Sequence, residues 1–253
     1  MTPDQPAPVS VYQEMDQACL SLDHAFTFHC HAGLRCFNRC CRTPTILLSP
    51  YDLLRLKQGL GITSGELLAH YTLREIEARA NLPLVFLDPY RTKEPACPFL
   101  GPPSCTVYAH RPAACRLFPI TMGSELTTEG VVDYYFCRKL PYCEGFAADV
   151  HWTVASWIAD QGFLEYDQGR REWLEILLTA GLKGPGALDA RFQDLFALAY
   201  DLDRGRGVIA EPAFQETYSV EAETLAQLQA DDLALLKFIY RGLKSMMMAE
   251  WAS

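Results

Sequence analysis

The stretch CHAGLRCFNRCC, residues 30–41, sets four cysteines within twelve positions of one another. Nine of the ten cysteines of the 253-residue chain lie between Cys30 and Cys143, and none follows. Thiolates are soft, strongly donating ligands for zinc and iron, and several converging from one loop can hold an ion that no isolated cysteine would retain. The stretch therefore decides the character of the first half as metal-organised. Around it, residues 24–44 alternate poorly and carry Gly33 and Asn38, so an irregular loop is expected after a short strand at Phe26–Phe28.

Further along, Ile46–Leu48 forms a brief apolar run. Ser49 and Pro50 mark an N-cap and first helical position, which predicts a helix from Pro50 to about Gln58 closed by Gly59. Thr63 with Glu66 three residues on is a capping box opening a second helix through Leu67, Leu68 and Tyr71. Leu84–Leu87 reads as another short strand, ended by Asp88 and Pro89. A second cysteine-rich stretch, CPFLGPPSCTVYAHRPAACRLFPI at 97–120, holds five prolines that exclude a long helix. Its cysteines belong on turns and very short helices, and Cys137 and Cys143 complete the set around Pro141. From residue 151 the chain turns plainly helical. Phe192, Leu195, Phe196, Ala199 and Leu202 keep one face, as do Leu235, Leu236, Ile239 and Leu243, and Trp173, Leu174, Leu177 and Leu178 make a third stripe.

The expected fold class is mainly α with a few short β-strands: a cysteine-rich metal-binding half with long loops, then a helical half. The expected division is a weakly ordered tail over 1–20, a cysteine-cluster metal-binding domain over 21–148 and a helical domain over 149–253 packed on it. Cys19 reads as a buried structural thiol in a helix around VYQEMDQACLSLD.

A chain of this length with 49% hydrophobic residues can bury a sizeable core without crosslinks. The N-terminus is polar and proline-rich, and no stretch approaches the ~20 apolar residues needed to span a bilayer. These features predict a cytoplasmic protein with no membrane partner, where ten cysteines serve as ligands or reactive thiols rather than a disulfide framework. The net charge of −9 divides into −7 from residue 151 onward (16 acidic, 9 basic) and −2 before it. No nucleic-acid partner is expected, because phosphate contacts need clustered Lys and Arg. The arginines among the cysteines, Arg35, Arg39, Arg42, Arg111, Arg116 and Arg138, could offset the charge of a thiolate site or be solvated surface groups.

The spacings, five residues, then three, then none, are not those of zinc ribbons or ferredoxins, which use pairs two residues apart. A radical-type cluster loop would need a cysteine where Thr43 stands. Adjacent Cys40 and Cys41 cannot easily bridge each other, so they read as two ligands or as a ligand and a reactive thiol.

Taken together, Cys30–Cys41, the segment SPYDLLRLKQGLGI and the run CTVYAHRPAACRLFP resemble the YkgJ-like family of cysteine-cluster proteins, described as zinc- or iron-chelating domains, over about residues 24–145. Some relatives are flagellin lysine N-methylases. The family pattern has two residues before its double cysteine, whereas Phe37, Asn38 and Arg39 stand here. The resemblance implies that Cys30, Cys36, Cys40, Cys41, Cys97, Cys105 and Cys115 are metal ligands, and that Tyr108, Arg111 and Arg116 orient or neutralise the site, unless they merely anchor a turn against Pro112. Cys137 and Cys143 join the ligands on spacing alone. His29 and His31 flank a ligand and could coordinate, although neighbours of this kind more often support the site or lie on the surface.

Three functions stay open. One is a metal-binding protein whose zinc ion or iron–sulfur cluster knits distant loops into one fold. The resemblance implies a second, an S-adenosylmethionine-dependent lysine N-methylase acting on a protein substrate, although no Gly-x-Gly-x-x-Gly signature is present. The third is a redox or metal sensor with spare thiols. No nucleophile–base pair stands out, so catalytic residues are unknown. Asp52 and Glu66 read equally well as helix-terminus residues.

Overall fold

The computed structural model describes residues 19–251 except 43, 79, 92, 185–187 and 219. The described chain is mainly α with short strands. The expected tail lies almost wholly outside the described residues, as does most of the helix expected around Cys19. The described end of that segment is not helical: Leu20 is buried and donates its N–H to the Tyr135 carbonyl at 2.7 Å.

Ten α-helices and seven strands follow one another among the described residues. Strand β1 (Ala25–Thr27) pairs antiparallel with β7 (His151–Thr153), Phe26 opposite Trp152. Strands β2 (Leu47–Leu48), β4 (Leu82–Leu87) and β3 (Thr72–Glu77) form a three-stranded sheet in the order β2-β4-β3. Strands β5 (Ile120–Thr127) and β6 (Gly130–Cys137) make a hairpin. Neither that hairpin nor β3 is anticipated by the sequence reading. The hairpin strands are half-buried along most of their length and mix Thr, Ser and Gly with apolar residues, so the period-2 signal is weak. Strand β3 reads TLREIE, a composition equally at home in a helix.

Helix α1 (Pro50–Leu60) opens on the expected Ser49 cap, strengthened by a capping box with Asp52. It does not stop at Gly59 but runs on to Leu60, and Gly61 closes it in the left-handed region at φ 66°. Gly59 is present for another reason: a Cβ there would stand 2.5 Å from the His110 ring, so its bare backbone lets the 108–110 turn pack on the helix. Helix α2 (Ser64–Tyr71) begins at the Thr63–Glu66 capping box.

The helical half contains α4 (Val154–Asp160), α5 (Phe163–Lys183), α6 (Ala190–Tyr200), α7 (Leu202–Ile209), α8 (Pro212–Tyr218), α9 (Ala222–Ala230) and α10 (Asp232–Trp251), after the five-residue α3 (Ala113–Leu117). In α5 the buried stripe is Phe163, Tyr166, Arg170, Trp173, Ile176 and Ala180, which corrects the expected face: Leu174, Leu177 and Leu178 flank it. The faces expected in α6 and α10 are buried, with Leu235, Leu236 and Leu243 at zero exposure. Helix α10 packs on α1, α5, α6, α7 and α9. A single hydrophobic core runs through both halves, from Phe28, Leu53 and Leu67 to Phe196 and Leu243.

Candidate metal centre

The first cysteine loop starts where β1 ends. Phe28 is buried edge-on against Phe118 and Trp157, at centroid distances of 5.8 and 5.6 Å. Its N–H donates to Val150 and its carbonyl accepts from Trp152 Nε1 at 2.9 Å. Next, His29 N–H donates to the Gly145 carbonyl at 3.0 Å, and a Cβ on Gly145 would meet the Phe28 ring at 2.7 Å. The third loop, around Cys143, is thereby held against the start of the first.

Residues 31–42 then run as consecutive turns: Leu34 N–H donates to His31, Phe37 to Leu34, Arg39 to Cys36, Cys41 to Asn38 and Arg42 to Arg39. Residues Arg39–Cys41 form one 3-10 turn entered through Asn38 in the left-handed region at φ 62°. Asparagine tolerates that conformation better than most residues. Asn38 Nδ2 also donates to the Pro103 carbonyl at 3.0 Å, and Cys97 N–H donates to the Cys41 carbonyl at 2.7 Å. On the other side, Glu144 N–H donates to Cys36 Sγ at 3.2 Å, while the Glu144 carboxylate takes the Arg35 N–H at 3.1 Å and its guanidinium at 2.7 Å. The first loop is thus clamped between the second and the third.

In the second loop a turn links Leu100 N–H to the Cys97 carbonyl, and an isolated bridge pairs Leu100 with Cys105. Cys115 sits in α3. That helix is hooked to α1 by the buried Asp52, whose Oδ1 accepts the Ala113 N–H at 2.8 Å while Oδ2 accepts Ser49 N–H and Oγ. Burial raises the Asp52 pKa, and these donors offset part of the rise. Asp52 is therefore the helix-terminus residue it resembles, with a second role that its spacing from Ala113 conceals.

Arg116, buried, donates to the carbonyls of Ala109, Arg111 and Gln161, and its guanidinium lies 4.2 Å from the Tyr166 ring centroid. Arg111 donates to the Tyr108 carbonyl and to Gln161 Oε1, both at 2.7 Å, and stacks on the Tyr108 ring. Tyr108 itself is exposed. Arg111 is also within electrostatic reach of Cys115.

All ten cysteines are free thiols. Cys36 and Cys137 are buried, Cys19, Cys30 and Cys40 exposed, and Cys41, Cys97, Cys105, Cys115 and Cys143 intermediate. Cys137 ends β6 opposite Ile120, within the hydrophobic core. Burial first, and neighbouring thiols after it, raise the pKa of Cys30, Cys97, Cys115 and Cys143. Burial, then Cys40, Cys143 and Cys36, push Cys30 up to about 11. Burial, then Cys105 and Cys40 in the face of two opposing N–H donors, push Cys97 up to about 11. Cys115 is raised by burial and by Cys97, Asp52 and Cys105. Within the adjacent pair, the Cys41 thiol hydrogen-bonds Cys40 and draws its pKa down, helped by Arg138, while Cys41 moves up.

As they stand, no three of the Cys, His, Asp and Glu side chains among the described residues make a ready coordination shell. The donor set nevertheless fits a soft ion or cluster: free thiols from three loops, the second and third each hydrogen-bonded to the first, with Arg138 within electrostatic reach of Cys40 and Arg111 of Cys115. The rings of His29 and His31 stand 4.8 Å apart at the exposed end of the first loop. Sequence reasoning passed over Glu144 and Gly145 and read Asn38 only as a sign of an irregular loop. Their roles come from contacts with residues 65 to 116 positions away, which leave no local signature.

A thiol-rich chelating domain is the class that these loops define. Residues 29–143 match the family model CxxCxxCC, described as "Putative zinc- or iron-chelating domain", the cysteine-cluster family that the sequence resembles. The match takes in all nine clustered cysteines. No curated protein and no solved structure matches the chain.

Proposed function

We propose that this chain is a metal-binding protein whose clustered thiolates hold a zinc ion or an iron–sulfur cluster, and that the bound metal knits three loops into one fold. The observation that carries this reading is the clamping of Cys41 to Cys97 and of Cys36 to Glu144 by direct hydrogen bonds, which gathers free thiols from segments far apart in sequence. Without an ion, burial and neighbouring thiols disfavour ionisation, at Cys30 through Cys40, Cys143 and Cys36 and at Cys97 through Cys105 and Cys40. A cation supplies the charge that lets them share one place as thiolates. Arg111 and Arg116 support the centre from outside, by fixing the turn that delivers Cys115.

The test is metal content by mass spectrometry, with an absorption spectrum and iron and sulfide assays, on protein purified without air. Brown protein with a visible charge-transfer band and near-equal iron and sulfide identifies a cluster. Colourless protein with stoichiometric zinc identifies a structural zinc site. Absence of both overturns the proposal.

A further inference from the structure

We propose that a buried polar site between α5, α6 and α10 binds ordered water, held by Trp173 Nε1 and the hydroxyls of Tyr200 and Tyr240. It does not depend on the metal-binding reading. The three side chains belong to the hydrophobic core and are deeply enclosed, with 4%, 3% and 1% of their surface exposed. Yet the indole N–H and both hydroxyls have no hydrogen-bond partner among the described residues. Only three other buried side-chain atoms there share that condition, and one of them, Arg170 Nε, stands on α5 a single turn before Trp173. A buried donor or acceptor left bare is costly, and native proteins almost always pair it, with ordered water where no protein group reaches.

The helices bring these groups together. The buried stripe of α5 puts Arg170 and Trp173 on successive turns of one face, and the Trp173 ring meets Tyr200 of α6 edge-on at 6.3 Å between centroids. Helix α10, which carries Tyr240, packs on both α5 and α6. Tyr200 and Tyr240 lie within electrostatic reach of Asp52 on α1, and Tyr240 within reach of Tyr200. The lining selects the occupant. An indole N–H only donates, whereas each phenol both donates and accepts. An anion would lie near the buried Asp52 carboxyl, and a cation would face the indole N–H and the Arg170 guanidinium, itself within reach of Asp52. A small neutral molecule that donates and accepts is what remains, and water, with two hydrogen bonds to give and two to take, can serve all three groups at once. Bound there, it cross-links three helices that all contact α1.

The experiment compares denaturant unfolding of the full-length chain with that of Y200F, Y240F and Y200F/Y240F, alongside a crystal structure of the wild type. Each single variant removes a hydroxyl and keeps the ring. It should raise the unfolding equilibrium constant about 2- to 12-fold, as the loss of a hydrogen bond that is made does. The double variant should raise it by less than the product of the two singles, because both hydroxyls share one partner. Electron density for water within hydrogen-bond distance of Trp173 Nε1 and of both hydroxyls is expected. A bare hydroxyl behaves in the opposite way, so Y200F and Y240F that are neutral or stabilised overturn the proposal. Density that shows the two hydroxyls bonded directly to each other, or a molecule larger than water between the helices, overturns it as well. If the double variant fails to fold, the two single variants and the density still decide.

Discussion

At the scale of single residues, the side chains around the thiol loops spend their polar groups on backbone that secondary structure leaves unpaired. Arg116 is the clearest case, since one guanidinium satisfies three carbonyls and packs on Tyr166. Replacing it by Ala strands those buried acceptors and should cost about 2–4 kcal/mol, and Lys should recover little because it lacks the planar fork. Chemical denaturation of R116A and R116K checks this. Asp203 offers a pH test well away from the cysteines. Burial alone would raise its pKa, but the Lys57 ammonium at 2.8 Å and the Ser64 N–H hold it below the usual carboxylate value. A depressed folded pKa contributes stability above the unfolded value of about 4, lost as pH falls through the folded one. The stability of the wild type over D203N should therefore be constant near neutrality and shrink below about pH 4. Thermal unfolding of both proteins across that range decides it, and a gap that widens toward acid contradicts the assignment.

At the scale of elements, close approach explains more than propensity does. Helix α5 carries Gly169 in its middle, where Ala would ordinarily stabilise a helix by up to ~1 kcal/mol. Here a Cβ would stand 2.2 Å from Cγ of Tyr51, whose ring is buried between α1 and α5. The overlap meets the rigid root of the ring, so G169A should destabilise by about 1–3 kcal/mol despite the better propensity. Denaturant midpoints measure the sign, and a stabilised variant would show that α1 can shift freely. The same reasoning separates Gly59 from Gly61: the first admits His110, and only the second ends a helix. Helix starts, by contrast, follow local rules. Ser49 and Thr63 both cap with an acid three residues on, because the hydrogen bonds that specify a helix N-terminus span only one turn.

At the scale of the whole molecule, the thiol loops and the helices are not independent bodies. β1 pairs with β7 across more than 120 residues, and the same core holds Phe28 and Leu243. Metal removal should therefore be felt beyond the loops. If the proposed centre binds zinc, saturating the apoprotein at a thousand times Kd should stabilise it by about 4 kcal/mol. The removal should also open residues 30–42 to protease before α6 or α10 is cut. Calorimetry and limited proteolysis with and without chelator check both, and identical melting curves would show that the loops hold without an ion. Among the described residues, no helix is long and apolar enough to cross a membrane.

Much of this was legible without coordinates, for identifiable reasons. The cysteine clustering, the two capping boxes and the apolar faces of α6 and α10 are local patterns with periods of a few residues, so the chain alone determined that it is mainly helical with a thiol-rich, chelating first half. The β5–β6 hairpin, the true face of α5, the hook of Asp52 on Ala113 and the clamp of Glu144 on Cys36 were decided only by the tertiary structure. The hairpin depends on cross-strand pairing, the hook and the clamp on partners 61 and 108 positions away, and the face of α5 on which side a neighbour covers. Spacing in sequence says that a thiol can be a donor, and only packing decides which other thiols stand beside it.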